Sequence, residues 1–159
     1  MAMGVGMETF ALGVLGVCAS AVGAAGSVIE LGAKQLNVFD NPETRKAAIV
    51  FGKTIQAISA AVSLFILAGM VSPTLSAIAL FFSLGMIGFP IAEEYLESFG
   101  NFPAEMVEMV RNAASGANYT AKIVNIITLS AAAAVIHPLA AVATLLALGA
   151  LNYAALESN

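Results

Sequence analysis

Tryptophan is absent from the 159 residues, and cysteine occurs once, as Cys18. A single cysteine forms no internal disulfide, and inside an apolar run it behaves as a small hydrophobe. Histidine also occurs once, as His137, so no His-based metal cluster is available. Charge is scarce. Asp, Glu, Lys and Arg make up 10% of the chain, where soluble domains carry about 25%. The six Lys and Arg are scattered and the net charge is −4, which offers no footing for nucleic acid. The chain has no G-x-S-x-G, Walker A or G-x-G-x-x-G motif, and no serine has a partnered base at a recognisable spacing. These absences leave no catalytic residue and no cofactor or metal site to nominate, and the expectation is a protein that is not an enzyme. The opening MAMGVGMETF carries Glu8 and no Lys or Arg before the first apolar run. It lacks the positive n-region of a cleaved signal peptide and is read as mature protein. Gly4 does not follow the initiator Met, so the myristoylation pattern fails as well.

What is present is apolar. Hydrophobic residues make up 60% of the chain, and mean hydropathy is +0.92. A soluble fold of this length could not hide so much apolar surface. The expected fold is all-α: a polytopic membrane helix bundle of about five transmembrane helices in a single membrane domain over residues 1–159. The longest uncharged stretch, Thr54–Ala92, sets the plan. Its 39 residues would run ~58 Å as one helix at ~1.5 Å per residue, about twice the ~30 Å hydrocarbon core of a bilayer. It breaks once, at Ser72-Pro73, where proline lacks a donor and disfavours a helical preceding residue. The spacing predicts a hairpin with spans at about 47–71 and 74–92. Ile123–Leu156 is similarly long and breaks at His137-Pro138, which predicts a second hairpin with spans at about 121–136 and 139–156. Asp40-Asn41-Pro42-Glu43 reads as the start of the second helix. Pro90 is expected to bend the return helix near its exit, Glu93, Glu94 and Glu97 to end it, and Gly100-Asn101 to break the chain. Residues 103–117 show helical apolar spacing, which predicts a short amphipathic helix on the membrane surface.

The first span is expected at about 9–29. Gly13, Gly16, Ser20, Gly23 and Ser27 recur every three or four positions and share one helical face, where small side chains let helices approach closely. Each hairpin is headed by a basic, a carboxamide and a hydroxyl residue at three-residue steps: Lys53, Gln56 and Ser59 in the first, Lys122, Asn125 and Thr128 in the second. This pattern hints at a duplicated hairpin. The two triads are expected to be cross-helix glue at one membrane face. Helix-packing residues are therefore Gly13, Gly16, Ser20, Gly23, Gln56, Ser59, Asn125 and Thr128. No acidic or basic residue is expected deep inside any span, which weighs against active transport. His137 reads as an exposed turn residue in preference to a pH-sensitive gate.

All six Lys and Arg fall in Glu30–Lys53 and Glu93–Lys122. By the positive-inside rule the N-terminus is outside and the C-terminus inside. The expected partners are the lipid bilayer and other membrane helices, in a homo-oligomer or a larger complex. A structural or interaction role is the leading expectation, with an oligomeric passive pore as the alternative. The bilobed apolar runs with very short turns, Thr54–Ala92 and Ile123–Leu156, resemble the membrane domain of chlamydial inclusion-membrane proteins. That resemblance is one of hydropathy pattern without a residue motif. It implies secretion by a bacterium into a vacuole membrane and contact with host factors. The size resembles that of holin-like pores, but Glu157-Ser158-Asn159 lacks the basic cluster expected there.

Overall fold

Two X-Pro steps and one glycine punctuate the chain into helices. In the computed structural model the backbone is described for residues 2–35 and 40–157, and the side chains for residues 13–35, 40–97 and 100–156. Five helices follow one another: α1 (Ala2–Gln35), α2 (Pro42–Val71), α3 (Pro73–Phe99), α4 (Ala104–Ile136) and α5 (Pro138–Glu157). No strand forms among the described residues. All five are long and apolar enough to cross a membrane.

The helix ends follow from local chemistry. Asn41 caps α2, its side chain accepting from Glu43 N at 2.9 Å with Pro42 in the first turn. Ser72 serves both helices it separates. Its N–H donates to Ala68 O at 3.0 Å, and its hydroxyl accepts from Leu75 N at 3.1 Å. His137 repeats the device: its N–H donates to Ala133 O at 3.0 Å, and its Nδ1 accepts from Leu139 N at 3.1 Å. Both residues have extended backbone, the conformation a following proline favours.

Two boundaries differ from the sequence reading. Glu93, Glu94 and Glu97 do not end α3, which continues through Pro90 to Phe99. Carboxylates are compatible with a helix; what stops α3 is Gly100, whose φ of 65° is the left-handed conformation of a C-terminal cap. The amphipathic segment expected at about 103–117 and the span expected at about 121–136 are parts of one unbroken helix, α4. The polar residues between them include no proline and do not break it, and Thr120 Oγ1 donates to Gly116 O at 2.8 Å within the helix.

Helix α1 packs against α2, α4 and α5, while α4 also packs against α2, α3 and α5. Among the described residues α3 touches neither α1 nor α5. Ser83 Oγ of α3 lies 3.3 Å from Ala61 O of α2, and Met86 packs with Ala60 and Ala61. The closest approach is between α1 and α2. A Cβ on Gly26 would lie 2.7 Å from Gly52 O, and one on Gly52 would lie 2.6 Å from Gly26 O. Only glycine at both positions allows that spacing.

The distribution of side chains is inverted relative to a soluble domain. The largest fully buried side chains are Lys122, Gln56 and Glu30, and the buried apolar residues are mostly alanines. Large apolar groups face outward: Phe81 is 79% exposed, while Glu30 is 0% exposed. An apolar exterior over a small, polar interior is the pattern of helices that pack in lipid. It is compatible with a small membrane protein.

Candidate functional site

The inward face of α1 carries Gly16, Ser20, Gly23, Ser27, Glu30 and Lys34, spaced alternately four and three residues apart. That period keeps one stripe pointing at the neighbouring helices. The stripe is polar, and each group on it meets a partner from a different helix. Ser63 of α2 donates to Gly16 O at 2.8 Å, and the Ser20 and Ser63 hydroxyls lie 2.7 Å apart. Ser27 donates to Asn152 Oδ1 of α5 at 2.7 Å. Asn152 Nδ2 in turn donates to Leu148 O at 2.8 Å.

Glu30 is the centre of the site. Its Oε1 accepts from Lys122 Nζ of α4 at 2.7 Å and from Gln56 Nε2 of α2 at 2.9 Å. Its Oε2 lies 2.8 Å from Lys34 Nζ, one turn on, an ion pair in distance that is not aligned as a hydrogen bond. Lys122 Nζ also donates to Gln56 Oε1 at 2.6 Å, and Gln56 Nε2 to Gly52 O at 3.1 Å. Three helices are thereby joined by one carboxylate, one carboxamide and one ammonium, all nearly inaccessible to solvent. One carboxylate against two ammonium groups leaves the cluster with a formal charge of +1. Lys34 ties the cluster to the end of the bundle, donating to Ala155 O of α5 at 2.8 Å. Arg45 closes the C-terminus of α1 by donating to Ala33 O at 2.7 Å and Lys34 O at 2.5 Å.

The residues singled out from sequence fall unevenly around this centre. Gln56 and Asn125 are both buried against α1, and Asn125 Nδ2 donates to Gln56 O at 3.3 Å. Gly16, Ser20 and Gly23 face α2 and α4. The Asn125 carboxamide packs so close to Gly23 that a Cβ there would have to displace it. Gly13 lies at the edge of the seam, where an added Cβ would come no nearer than 3.9 Å to Met70. Ser59 is buried in α2. Thr128 bonds within its own helix, to Val124 O at 2.8 Å. Lys53 does not join the Glu30 cluster. It lines an adjoining cavity with Lys34, Glu93, Glu94, Arg111 and Asn118.

Glu30 and Lys122, which the sequence reading left in the polar stretches at the ends of the spans, are buried inside the bundle and paired there. Helix α1 runs past Ile29 to Gln35, which carries Glu30 inside the bundle. Its continuation of the small-residue spacing, three positions after Ser27, was the available signal. Lys122 enters because α4 is continuous, so the residue belongs to the middle of a helix. No protein-family model, curated protein or solved structure matches the chain. Among the described residues, no group of three His, Cys, Asp or Glu is placed to hold a metal ion.

Proposed function

We propose that the chain is a small integral membrane protein with a structural or interaction role, and that it performs no catalysis. In this reading α2–α3 and α4–α5 cross the bilayer as proline-turn hairpins around α1. The N-terminus is outside and the C-terminus inside, as the confinement of Lys and Arg to two segments favours. The partners are lipid and other membrane helices, in a homo-oligomer or a larger complex. The observation that carries the reading is how the interior is spent. Glu30, Gln56, Lys122, Ser20 and Ser63 bond to one another across helices. Polar groups engaged in this way hold helices together; a conducting path needs lining groups free to coordinate its cargo.

A passive pore is the competing reading. The buried Glu30–Lys122 pair favours it, since ionisable groups within membrane bundles often mark ion paths. Flux from liposomes reconstituted with the protein separates the two, with the mass in mild detergent measured alongside. The scaffold reading expects no appreciable ion or solute flux. Robust flux that Gln56→Leu abolishes would overturn it and establish the pore.

A further inference from the structure

Around the charged end of the bundle all five helices contribute to a cavity of about 420 Å³, within the ~300–1,000 Å³ of ordinary ligand sites. Its polar lining holds three cations, Lys34, Lys53 and Arg111, and two carboxylates, Glu93 and Glu94. Val50, Pro90, Ile91 and Leu156 supply an apolar wall. Lys53 and Glu93 line the same space without closing into an ion pair among the described residues, though each is near enough to feel the other's charge. Lys34 commits one N–H to Ala155 O and is ion-paired with Glu30. Asn118 Oδ1 is buried at the cavity without a hydrogen-bond partner.

These groups ask for a ligand with a charge of each sign and an apolar continuation. A plain anion would meet two carboxylates, and a plain cation would meet three cations. A zwitterion places its anion on the cations and its ammonium on the carboxylates. We propose that this cavity binds the phosphoethanolamine headgroup of a membrane lipid, its phosphate on Lys53, Lys34 and Arg111 and its ammonium on Glu93 and Asn118 Oδ1. A primary ammonium donates three hydrogen bonds, so it satisfies both the carboxylate and the orphaned amide oxygen. A trimethylammonium headgroup donates none and leaves Asn118 Oδ1 unpaired. The lipid's glycerol and acyl chains lie along the apolar wall. Basic pockets between helices at headgroup depth hold lipid in this way.

The inference rests on the membrane reading of the bundle. The full chain is therefore first shown to co-fractionate with membranes, so that failure of the site and failure of that reading are told apart. Native mass spectrometry of the detergent-solubilised protein then follows titration with phosphatidylethanolamine, phosphatidylcholine or phosphatidylglycerol. Phosphatidylethanolamine is expected to remain bound under activation that strips the other two. Lys53→Met and Glu93→Gln each remove one charge-assisted contact, so each is expected to weaken retention about tenfold or more. Neither residue is part of the Glu30 cluster, and unchanged melting confirms that the variants are folded; if one fails to fold, the other carries the test. Equal retention of the three lipids overturns the proposal, as does phosphatidylglycerol held as tightly as phosphatidylethanolamine. Folded variants with undiminished retention overturn it too. Displacement of the lipid by soluble phosphoethanolamine at equal concentration overturns the lipid assignment, whereas a need for large excess supports it.

Discussion

At the residue scale, Glu30 and Lys122 are unequal partners. Among the described residues, Lys122 has Glu30 as its one ionic contact, with Gln56 Oε1 as a neutral second acceptor. Glu30 has Lys34 as well. Removing one member of a buried pair leaves an uncompensated charge and costs about 3–5 kcal/mol. Glu30→Gln leaves Lys122 with no carboxylate, and that full loss is expected. Lys122→Met leaves Glu30 paired with Lys34 and bonded by Gln56, so a smaller loss of about 1–3 kcal/mol is expected. The double variant Glu30→Gln/Lys122→Met buries no charge at that point and is expected to be more stable than Glu30→Gln alone. Equilibrium unfolding in mild detergent reads all three. A Glu30→Gln protein as stable as the parent would show that the pair is not holding the helices. Gln56 and Asn125 were legible as packing groups because an amide in an apolar run must face other helices. Glu30 was not, because a charged residue at the end of an apolar run looks like a boundary.

At the scale of elements, the α1–α2 seam brings two backbones into close contact at Gly26 and Gly52. Even one carbon on Gly26 or Gly52 would press on the opposite backbone. Gly26→Ala and Gly52→Ala are each expected to force the helices apart and lower the melting temperature in detergent. Gly23→Leu is expected to do the same by displacing the Asn125 carboxamide. Gly32→Ala serves as the control. Nothing lies within 4 Å of an added Cβ there, so alanine's helix preference stabilises by up to ~1 kcal/mol. If Gly26→Ala and Gly32→Ala melt alike, the seam is not a close contact. The small-residue face of α1 was legible from its spacing. Its partner glycine on α2 was not, since Gly52 stands in no small-residue pattern of its own. The polar segment ahead of Lys122 reads from sequence as a separate amphipathic surface helix, because its charged and amide residues interrupt the apolar pattern. In the structure those residues line the charged-end cavity on one helix, as Arg111, Ser115 and Asn118 do.

At the scale of the whole molecule, the two one-residue breaks and the charged segments belong to opposite ends in the membrane reading. Cysteine accessibility tests this directly in a Cys18→Ala background. Ser72→Cys and His137→Cys are expected to label from the side opposite Lys46→Cys in intact vesicles. Labelling of all three from one side would refute the five-span arrangement. The exposed apolar surface is also a property of the whole. Phe81, Phe82, Leu84, Leu139 and Leu146 are each more than half exposed, more than a monomeric soluble protein tolerates in water. Lipid or neighbouring helices cover them in the proposed arrangement.

The sequence by itself determined that the chain is helical and membrane-like, where the helices break, and that its cations gather in two segments. Each of these depends on local quantities: the hydropathy of a run, the missing N–H of proline, the capping groups of Asn41 and Ser72. Tertiary structure alone decided that Glu30 meets Lys122, 92 positions away, and that Lys53 faces a cavity instead of joining them. The sequence offers ten carboxylates to six Lys and Arg, and nothing in their spacing selects a pair. The selection comes from which helical faces meet and at what depth. Those are set by the close approach at Gly26 and Gly52, and by the unbroken length of α4.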